Sequence, residues 1–318
     1  EDRYDPSRDA DVGEIASKVS THQRNQWDED ARAMTKGFRL EECKMAMETM
    51  RSCLQSQYDL AEIYSPPRVV KEANGMGMKG GFSLDFSGPD PDGYIWDFSK
   101  HECRQKAFGL IRESRPYMII GSPECTPFST IQNLNMRTPE GKEKVERARE
   151  EGTKHLEFCC KIYALQIAAG RYFIHEHPLT ATSWATECMT KLRQSPAVYI
   201  AEAQMCAFGV MSKDKHGPGY AKKPTRFLTN SVVSARALRR RCPENHRHVH
   251  LMEGRARAAA VYPQELCRTI CRATLGQAKA DAGYLVCIQC VDGDERIHEV
   301  AFEEPRWKSY WDDLSGRE

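Results

Sequence analysis

The stretch Tyr117-Met-Ile-Ile-Gly-Ser-Pro-Glu-Cys-Thr-Pro-Phe-Ser129 decides the fold class of this chain. Its first five residues form an apolar run of the kind that becomes a strand buried on both faces. The run leads into a loop bounded by Pro123 and Pro127, which carries a single cysteine, Cys125. A buried strand that ends in such a loop is typical of α/β proteins, whose ligands lie at the carboxyl ends of parallel strands.

Strands and helices alternate on both sides of this stretch. Upstream, short strands are predicted at residues 60–64 and 82–86, with helices at 69–74 and 105–115. Downstream, a long helix is predicted at 140–169, followed by strands at 172–175, 197–202 and 227–230. The alternation predicts an α/β fold, with a mostly parallel sheet covered by helices on both faces.

Composition divides the chain into three parts. Residues 1–36 are polar, contain few large apolar side chains and are predicted to form a flexible linker. The main domain is predicted at 37–276 and contains a short basic segment at 231–257. Residues 277–318 are predicted to form a hairpin and a tail, with the hairpin turning at Asp292-Gly293-Asp294.

Charge is distributed unevenly along a chain that is almost neutral overall. The 318 residues carry a formal net charge of +1, and 29% of them are charged, which is ordinary for a globular protein. Between Lys213 and Arg257, however, there are twelve Lys and Arg residues against three Asp and Glu residues. Such a segment is suited to contacting phosphates, although a solvated basic face explains the charge equally well.

The cysteines indicate a reducing compartment. There are thirteen of them, and their positions follow no disulfide-framework spacing. No signal segment opens the chain, and no apolar run reaches the roughly 18 residues of a membrane helix. We therefore expect an intracellular protein without a membrane partner, nuclear if it is eukaryotic. Because Glu1 is not an initiator methionine, we also expect a piece of a longer polypeptide.

Three side chains near predicted strand ends are suited to covalent chemistry on a heteroaromatic ring. Cys125 offers a thiolate nucleophile, Glu176 a hydrogen-bonding carboxylate, and Arg226 a guanidinium that holds a carbonyl or a phosphate. Each has an ordinary structural explanation when taken alone. A single cysteine is usually a small buried hydrophobe, and a single Glu or Arg is usually a solvated surface charge.

Together these segments resemble the cytosine-5 DNA methyltransferase family. The nucleophile loop of that family reads Gly-x-Pro-Pro-Cys-x-x-Phe-Ser, and residues 121–129 match it except at Glu124. The family's Glu-Asn-Val motif corresponds to Glu176-His177-Pro178. Its Tyr-Gly-Val segment and Arg-x-Arg strand are similar to Phe208-Gly209-Val210 and Thr225-Arg226-Phe227.

The resemblance implies a Rossmann-like S-adenosylmethionine-dependent methyltransferase fold, in which 231–257 is a small target-recognition insertion. It implies that Cys125 attacks carbon 6 of a cytosine flipped out of duplex DNA. Glu176 would bind the ring nitrogen and the amine of that base, and Arg226 would position it. Residues corresponding to the family's S-adenosylmethionine contacts are Tyr64, Ser65, Asp85, Phe86, Asp97, Phe98 and Pro123.

Two departures from the family pattern support an alternative. Ser65-Pro66-Pro67-Arg68 replaces the family's glycine-rich loop, and proline removes backbone donors that a cofactor would use. Glu124 places a carboxylate beside Cys125, which would raise the pKa of the thiol. The chain is thus predicted to be either an active cytosine-5 methyltransferase or an inactive nucleic-acid-binding module. Cytosine in RNA is a further possible substrate.

The narrower similarity is to methylase-like domains embedded in retroelement polyproteins. It rests on the Ser-Pro-Pro-Arg opening, the short recognition region and the tail Tyr310-Trp-Asp-Asp-Leu-Ser-Gly316. It implies that other parts of a polyprotein are partners, besides DNA.

A cluster of metal-binding residue types lies in the basic segment. Cys242, His246, His248 and His250 fall within nine residues, but the paired spacings of known zinc motifs are missing. The sequence therefore assigns no metal ligands and leaves a metal at these four residues open.

Overall fold

The computed structural model describes residues 40–251 and 258–291. The chain divides into two compact units, Glu1–Glu42 and Cys43–Glu318. The predicted linker at 1–36 lies outside the described residues, as does the chain beyond 291. Within the described ranges, none of the helices combines the length and apolarity that crossing a bilayer requires.

The elements of the described residues follow the predicted alternation. The α-helices are α1 (Leu40–Cys53), α2 (Val69–Gly75), α3 (His101–Ser114), α4 (Gln132–Asn135), α5 (Pro139–Ala168), α6 (Glu187–Gln194), α7 (Val232–Leu238) and α8 (Gln264–Val291). The strands are β1 (Leu60–Ile63), β2 (Gly80–Leu84), β3 (Met118–Gly121), β4 (Tyr172–Pro178), β5 (Tyr199–Gln204), β6 (Met211–Asp214), β7 (Gly217–Lys222), β8 (Pro224–Thr229) and β9 (His248–His250). Short 3-10 helices lie at Thr126–Phe128, Thr182–Ala185, Met205–Phe208 and Ala258–Ala260.

Six strands form the main sheet in the order β2-β1-β3-β4-β8-β5. Strands β2, β1, β3 and β4 are parallel, whereas β8 is antiparallel to both of its neighbours, β4 and β5. Only β8 therefore runs against the others. A second sheet in the described residues has the order β6-β7-β9. The predicted α/β fold with a mostly parallel sheet is confirmed.

Helices cover both faces of the main sheet because successive strand residues project to opposite sides. Ile119 and Phe173 are register partners and project into a core on one face. Residues of α3, α5 and α6 complete that core: Cys103, Ala107, Ile111, Leu156, Cys160, Tyr163, Met189 and Leu192. Ile120 and Ile174 project to the opposite face, where α2, α7 and α8 pack together.

The long helix α5 begins where local sequence rules place it. Thr138 precedes the helix and its side chain accepts a hydrogen bond from the backbone N–H of Gly141, while Pro139 occupies the first helical position. The predicted start at residue 140 is therefore one residue late.

The C-terminal region differs from the prediction. Pro263 directly precedes α8, which begins at Gln264. The helix then continues to Val291 and so extends into the region 277–318 that was predicted to form a hairpin and a tail. No proline lies between 264 and 291, and extending an existing helix is easier than nucleating new structure. The predicted turn at 292–294 and the second hairpin strand lie outside the described residues.

Candidate active site

The strand order locates a crevice at one edge of the main sheet. From β1 the chain moves to β2 on one side and then crosses to β3 on the other. Such a reversal separates the loops that follow the two strands, and α/β proteins bind ligands in the opening between them. The loops at this point begin at Tyr64, after β1, and at Ser122, after β3. Both loops were predicted to contribute to the site.

A buried histidine, His177, hydrogen-bonds the loop that carries Cys125. The Nε2 atom of His177 donates a hydrogen bond to the carbonyl oxygen of Pro123 at 2.9 Å, and its Nδ1 atom lies 2.7 Å from the Ser183 hydroxyl oxygen. At the start of the loop, a Cβ atom on Gly121 would lie 2.1 Å from the Tyr163 hydroxyl oxygen. Glycine is therefore required at 121, and His177 fixes the position of the loop through Pro123.

Cys125 lies half-buried at the start of the 3-10 helix Thr126–Phe128. Burial contributes most to raising the pKa of its thiol, and the negative charge of Glu176 contributes next. The ammonium group of Lys223 acts in the opposite direction and lowers that pKa. Glu124 is exposed and raises it less than Glu176 does. The expected effect of Glu124 is thus present but secondary.

Glu176 provides a buried carboxylate beside the thiol. Only 6% of the residue is exposed, and it lies near the carboxyl end of β4. Its Oε2 atom accepts a hydrogen bond from the Tyr262 hydroxyl at 3.4 Å. Its Oε1 atom has no hydrogen-bond partner among the described residues, although the Lys223 ammonium lies 3.6 Å away. A buried acceptor without a partner is unfavourable, so this atom is suited to bind a ligand donor.

Arg226 is not brought to Cys125 and Glu176. In the pairing of β4 with β8, Glu176 is opposite Phe227 and His177 is opposite Arg226. Glu176 and Arg226 consequently project to opposite faces of the sheet. The guanidinium donates two hydrogen bonds to Glu202 on β5, at 3.1 and 2.7 Å, and lies 5.4 Å from the Trp184 ring. Its predicted role in positioning a base is therefore not supported by its placement.

Two residues that sequence reasoning did not assign complete the cluster. Lys223, three positions before Arg226, supplies the cation and also donates to the carbonyl oxygen of Ala259 at 3.3 Å. Tyr262 is buried and its hydroxyl also hydrogen-bonds the Ser122 side chain, so it connects the loop after β3 to Glu176. Lys223 lies two residues before the segment Thr225-Arg226-Phe227, and proximity to that segment is the signal that could have found it, whereas no local pattern distinguishes Tyr262.

The loop after β1 is organised by Glu62, a fully buried residue. Its carboxylate accepts hydrogen bonds from the backbone N–H groups of Arg68 and Val70 at 3.0 and 2.9 Å, and from Ser65 at 3.2 Å. Burial raises the pKa of this carboxyl group, and these hydrogen bonds oppose that effect. Donors that a glycine-rich loop would offer to a ligand are thus used inside the protein. Tyr64 lies in this loop with φ of +59°.

Four of the predicted S-adenosylmethionine contacts lie in the chain between β2 and α3: Asp85, Phe86, Asp97 and Phe98. Asp85 follows β2, and its Oδ2 atom accepts from the Ser87 backbone N–H at 3.0 Å. Phe86 beside it is 67% exposed. Asp97 is half-buried, and hydrogen bonds from Ser99 lower the pKa of its carboxyl group.

Phe98, by contrast, is a core residue. It is buried, and its ring lies 4.5 Å from Tyr64 and 5.4 Å from Phe158. The Tyr64 hydroxyl in turn lies 3.0 Å from Nδ1 of His155. Phe98 therefore belongs to the hydrophobic core, and the Tyr64 ring packs against that core.

A scan against models of known protein families found no match to this chain, and a search of curated proteins found none either.

Proposed function

We propose that this protein methylates carbon 5 of cytosine in DNA, with Cys125 as the nucleophile. The observation that carries the proposal is the position of Glu176 at the carboxyl edge of the main sheet. The Tyr262 hydroxyl connects it to Ser122 in the loop that carries Cys125, and the Lys223 ammonium lies 3.6 Å from its Oε1 atom. A thiol with a buried carboxylate and an ammonium group near it suits covalent attack on a pyrimidine ring.

The residues have separate parts in the proposed reaction. The Cys125 thiolate forms a bond to carbon 6 of the base, and the electron pair displaced from the ring makes carbon 5 nucleophilic. Glu176 accepts a hydrogen bond from the amine of the cytosine, and a proton held between its carboxyl group and the ring nitrogen offsets the negative charge that develops on the ring. The methyl group would come from S-adenosylmethionine, whose sulfonium leaves as a neutral thioether. Water then takes the proton from carbon 5, and the electron pair of that bond restores the ring double bond as the Cys125 thiolate leaves carbon 6. Lys223 lowers the pKa of the thiol and takes the place proposed for Arg226.

S-adenosylmethionine, when bound, supplies an electrophilic methyl group. The residues after β2 fit its nucleoside, because the Asp85 carboxylate is suited to ribose hydroxyls and the exposed Phe86 ring to stacking on adenine. Asp97 is suited to the adenine amine. The expected crevice between β1 and β3 is bordered by Tyr64, Ser65 and Pro123. In the loop after β1, however, the backbone N–H groups of Arg68 and Val70 already donate to Glu62.

The proposal is tested with duplex DNA that contains 5-fluorocytosine. Fluorine at carbon 5 prevents the final elimination, so the sulfur–carbon bond persists. We expect a denaturant-stable protein–DNA adduct that forms only with S-adenosylmethionine and is lost in Cys125→Ala. Cys53→Ala, which removes an exposed thiol, should form the adduct normally.

The identity of the cation is tested in the same assay. Lys223→Met should reduce adduct formation at least about tenfold, since charge-assisted groups at a reacting centre typically contribute that much. Arg226→Met is the matched control and should retain most of the rate, because Arg226 contacts Glu202 instead. The opposite ranking would return the role to Arg226.

A second candidate function is favoured by the electrostatics of Cys125. Burial and the charge of Glu176 both oppose ionisation of the thiol. In the loop after β1, backbone N–H groups bond to Glu62 and not to a ligand. A DNA-binding module without catalytic activity would tolerate both features. Glu124→Pro restores the one position at which residues 121–129 differ from the nucleophile loop of the methyltransferase family. If neither the wild type nor this variant forms the adduct while both bind DNA, the binding function replaces the enzymatic one. An adduct with cytosine-containing RNA alone would change the substrate.

A further inference from the structure

Four thiol and imidazole side chains, none of which belongs to the proposed catalytic cluster, converge beside the small sheet. One donor atom from each of Cys206, Cys242, His246 and His248 lies within 4.8 Å of all the others. Cys206 comes from the 3-10 helix after β5, Cys242 and His246 come from the loop after α7, and His248 comes from β9. The tertiary fold thus joins one distant cysteine to the sequence-local cluster.

The separations between these atoms match a tetrahedral metal site. The Cys242 sulfur lies 3.5 Å from Nε2 of His246 and 3.4 Å from Nε2 of His248, and the two nitrogens are 3.1 Å apart. Zinc bonds of about 2.3 Å to sulfur and about 2.0 Å to nitrogen place sulfur about 3.5 Å from nitrogen and two nitrogens about 3.3 Å apart. A single ion in the centre would reach these donors with little movement.

Neighbouring groups orient the donor atoms toward that centre. Nδ1 of His246 lies 3.2 Å from the Asn245 side-chain oxygen, which favours the tautomer whose Nε2 lone pair is available. The His246 ring packs against Tyr220 with ring centres 4.1 Å apart. The backbone N–H of Glu244 donates to the Cys242 sulfur at 3.2 Å, a contact that stabilises a thiolate.

We propose that Cys206, Cys242, His246 and His248 bind one structural zinc ion. Two thiolates and two imidazoles satisfy all four positions of tetrahedral Zn²⁺ and leave no coordination site for substrate. Soft sulfur donors with imidazole favour zinc over magnesium or calcium, which prefer oxygen ligands. The proposal does not depend on the methyltransferase function.

His250 is not part of this set, although sequence inspection grouped it with the other histidines. It is exposed on β9, two residues beyond His248, and the fourth ligand comes from Cys206 instead. The ion would tie the end of β5 to the basic segment and to β9. The main sheet and the three-stranded sheet would then be joined by metal–ligand bonds.

Metal content of the 318-residue chain, purified with any affinity tag removed, is the first test. We expect about one zinc per chain by mass spectrometry of the metal. Cys206→Ser, Cys242→Ser and His246→Asn should each lose most of it. His250→Asn and Cys53→Ser are matched controls and should retain a full equivalent, since neither residue belongs to the donor set.

A second test uses the wild-type protein, so that a variant that does not fold cannot obscure the result. After zinc is removed with a chelator, Co²⁺ should produce the intense visible bands of a tetrahedral site and a sulfur-to-cobalt charge-transfer band. The thermal midpoint should fall on chelation and recover with Zn²⁺ but not with Mg²⁺. Wild-type protein that takes up no metal, or a Cys206→Ser/Cys242→Ser double variant that retains zinc, would overturn the proposal. Neither test involves DNA or a methyl donor.

Discussion

The surroundings of Cys125 oppose ionisation of its thiol through burial and through the charge of Glu176, while Lys223 favours it. Because the pKa is raised, the thiolate accumulates only as the pH rises above the ordinary range of cysteine. The reactivity of Cys125 toward an alkylating reagent should therefore keep increasing through pH 9. A bound base that pairs with Glu176 would remove part of the opposing charge.

Charge substitutions around Cys125 make this balance measurable. Glu176→Gln removes the second-largest cause of the raised pKa, so labelling of Cys125 at pH 8 should be about three times faster or more. Lys223→Met should slow labelling, because it removes the group that lowers the pKa. The rate is read from the Cys125 peptide by mass spectrometry after timed iodoacetamide treatment.

Glu124→Gln is the matched control for Glu176→Gln. The same change of charge at an exposed position should alter labelling less, because Glu124 acts on the thiol more weakly than Glu176. If Glu124→Gln had the larger effect, the carboxylate adjacent in sequence would dominate the site.

At the scale of single elements, β4 places two histidines inside the protein. His175 and His177 are both buried, and burial lowers the pKa of each imidazole, most strongly for His175. The Tyr163 hydroxyl lies 3.0 Å from Nδ1 of His175. In the unfolded chain these rings bind protons below about pH 6.5, whereas in the folded protein they resist protonation. Acid therefore favours unfolding.

Stability should fall as the pH decreases below about 6.5, by up to about 1.4 kcal/mol per pH unit for each buried histidine. His175→Gln keeps a hydrogen-bonding group for Tyr163 but cannot titrate, so it should reduce this slope. His101→Gln, at an exposed position, should leave the slope unchanged. Urea midpoints between pH 7.5 and 5.5 measure the effect. Equal slopes in the wild type, His175→Gln and His101→Gln would mean that His175 does not cause the pH dependence of stability.

The connection from β1 to α2 depends on one carboxylate. Oε2 of Glu62 accepts the backbone hydrogen bonds of both Arg68 and Val70, and methionine, which has a similar length, would leave both donors without this acceptor. Glu62→Met should lower the free energy of unfolding by about 2 kcal/mol, as expected for buried groups that lose partners. Glu187→Met, which removes an exposed ion pair with Lys191, should cost less than about 1 kcal/mol. Denaturant titration distinguishes the two.

At the scale of the whole molecule, the basic segment contains arginines with different surroundings. Arg239 and Arg241 are exposed. Arg240 instead forms an ion pair with Glu265 at 3.2 Å, donates to Thr269 at 2.9 Å and lies 4.6 Å from the Phe208 ring. The exposed pair is suited to phosphate contact, whereas Arg240 connects the segment to α8.

The affinity for duplex DNA should therefore fall as the salt concentration rises, and Arg239 and Arg241 should contribute to the steepness of that fall. If each contacts one phosphate, Arg239→Gln with Arg241→Gln should reduce the slope of log affinity against log salt by about 1.8. Lys144→Gln with Arg147→Gln on α5 removes the same charge elsewhere and should leave the slope unaltered. Fluorescence anisotropy across a salt series measures both. A slope that falls equally in the two variants would indicate a non-specific charge effect.

The alternation of strands and helices was predictable from local sequence patterns, and so were the loop carrying Cys125 and the strand end carrying Glu176. These depend on local properties: apolar runs, helical periodicity and the positions of proline and glycine. Pro263 as a helix boundary was predictable for the same reason, and the continuation of α8 to Val291 was not, because short apolar runs suit either a helix or a strand.

Which side chains lie close together depends on the tertiary structure and could not be predicted from local sequence patterns. The register of β8 against β4 sends Arg226 and Glu176 to opposite faces, and a shift of one residue would reverse that result. Tyr262 and Cys206 reach their clusters from elements far away along the chain. Strand register and such long-range contacts are set by packing of the whole molecule, so no local pattern contains them.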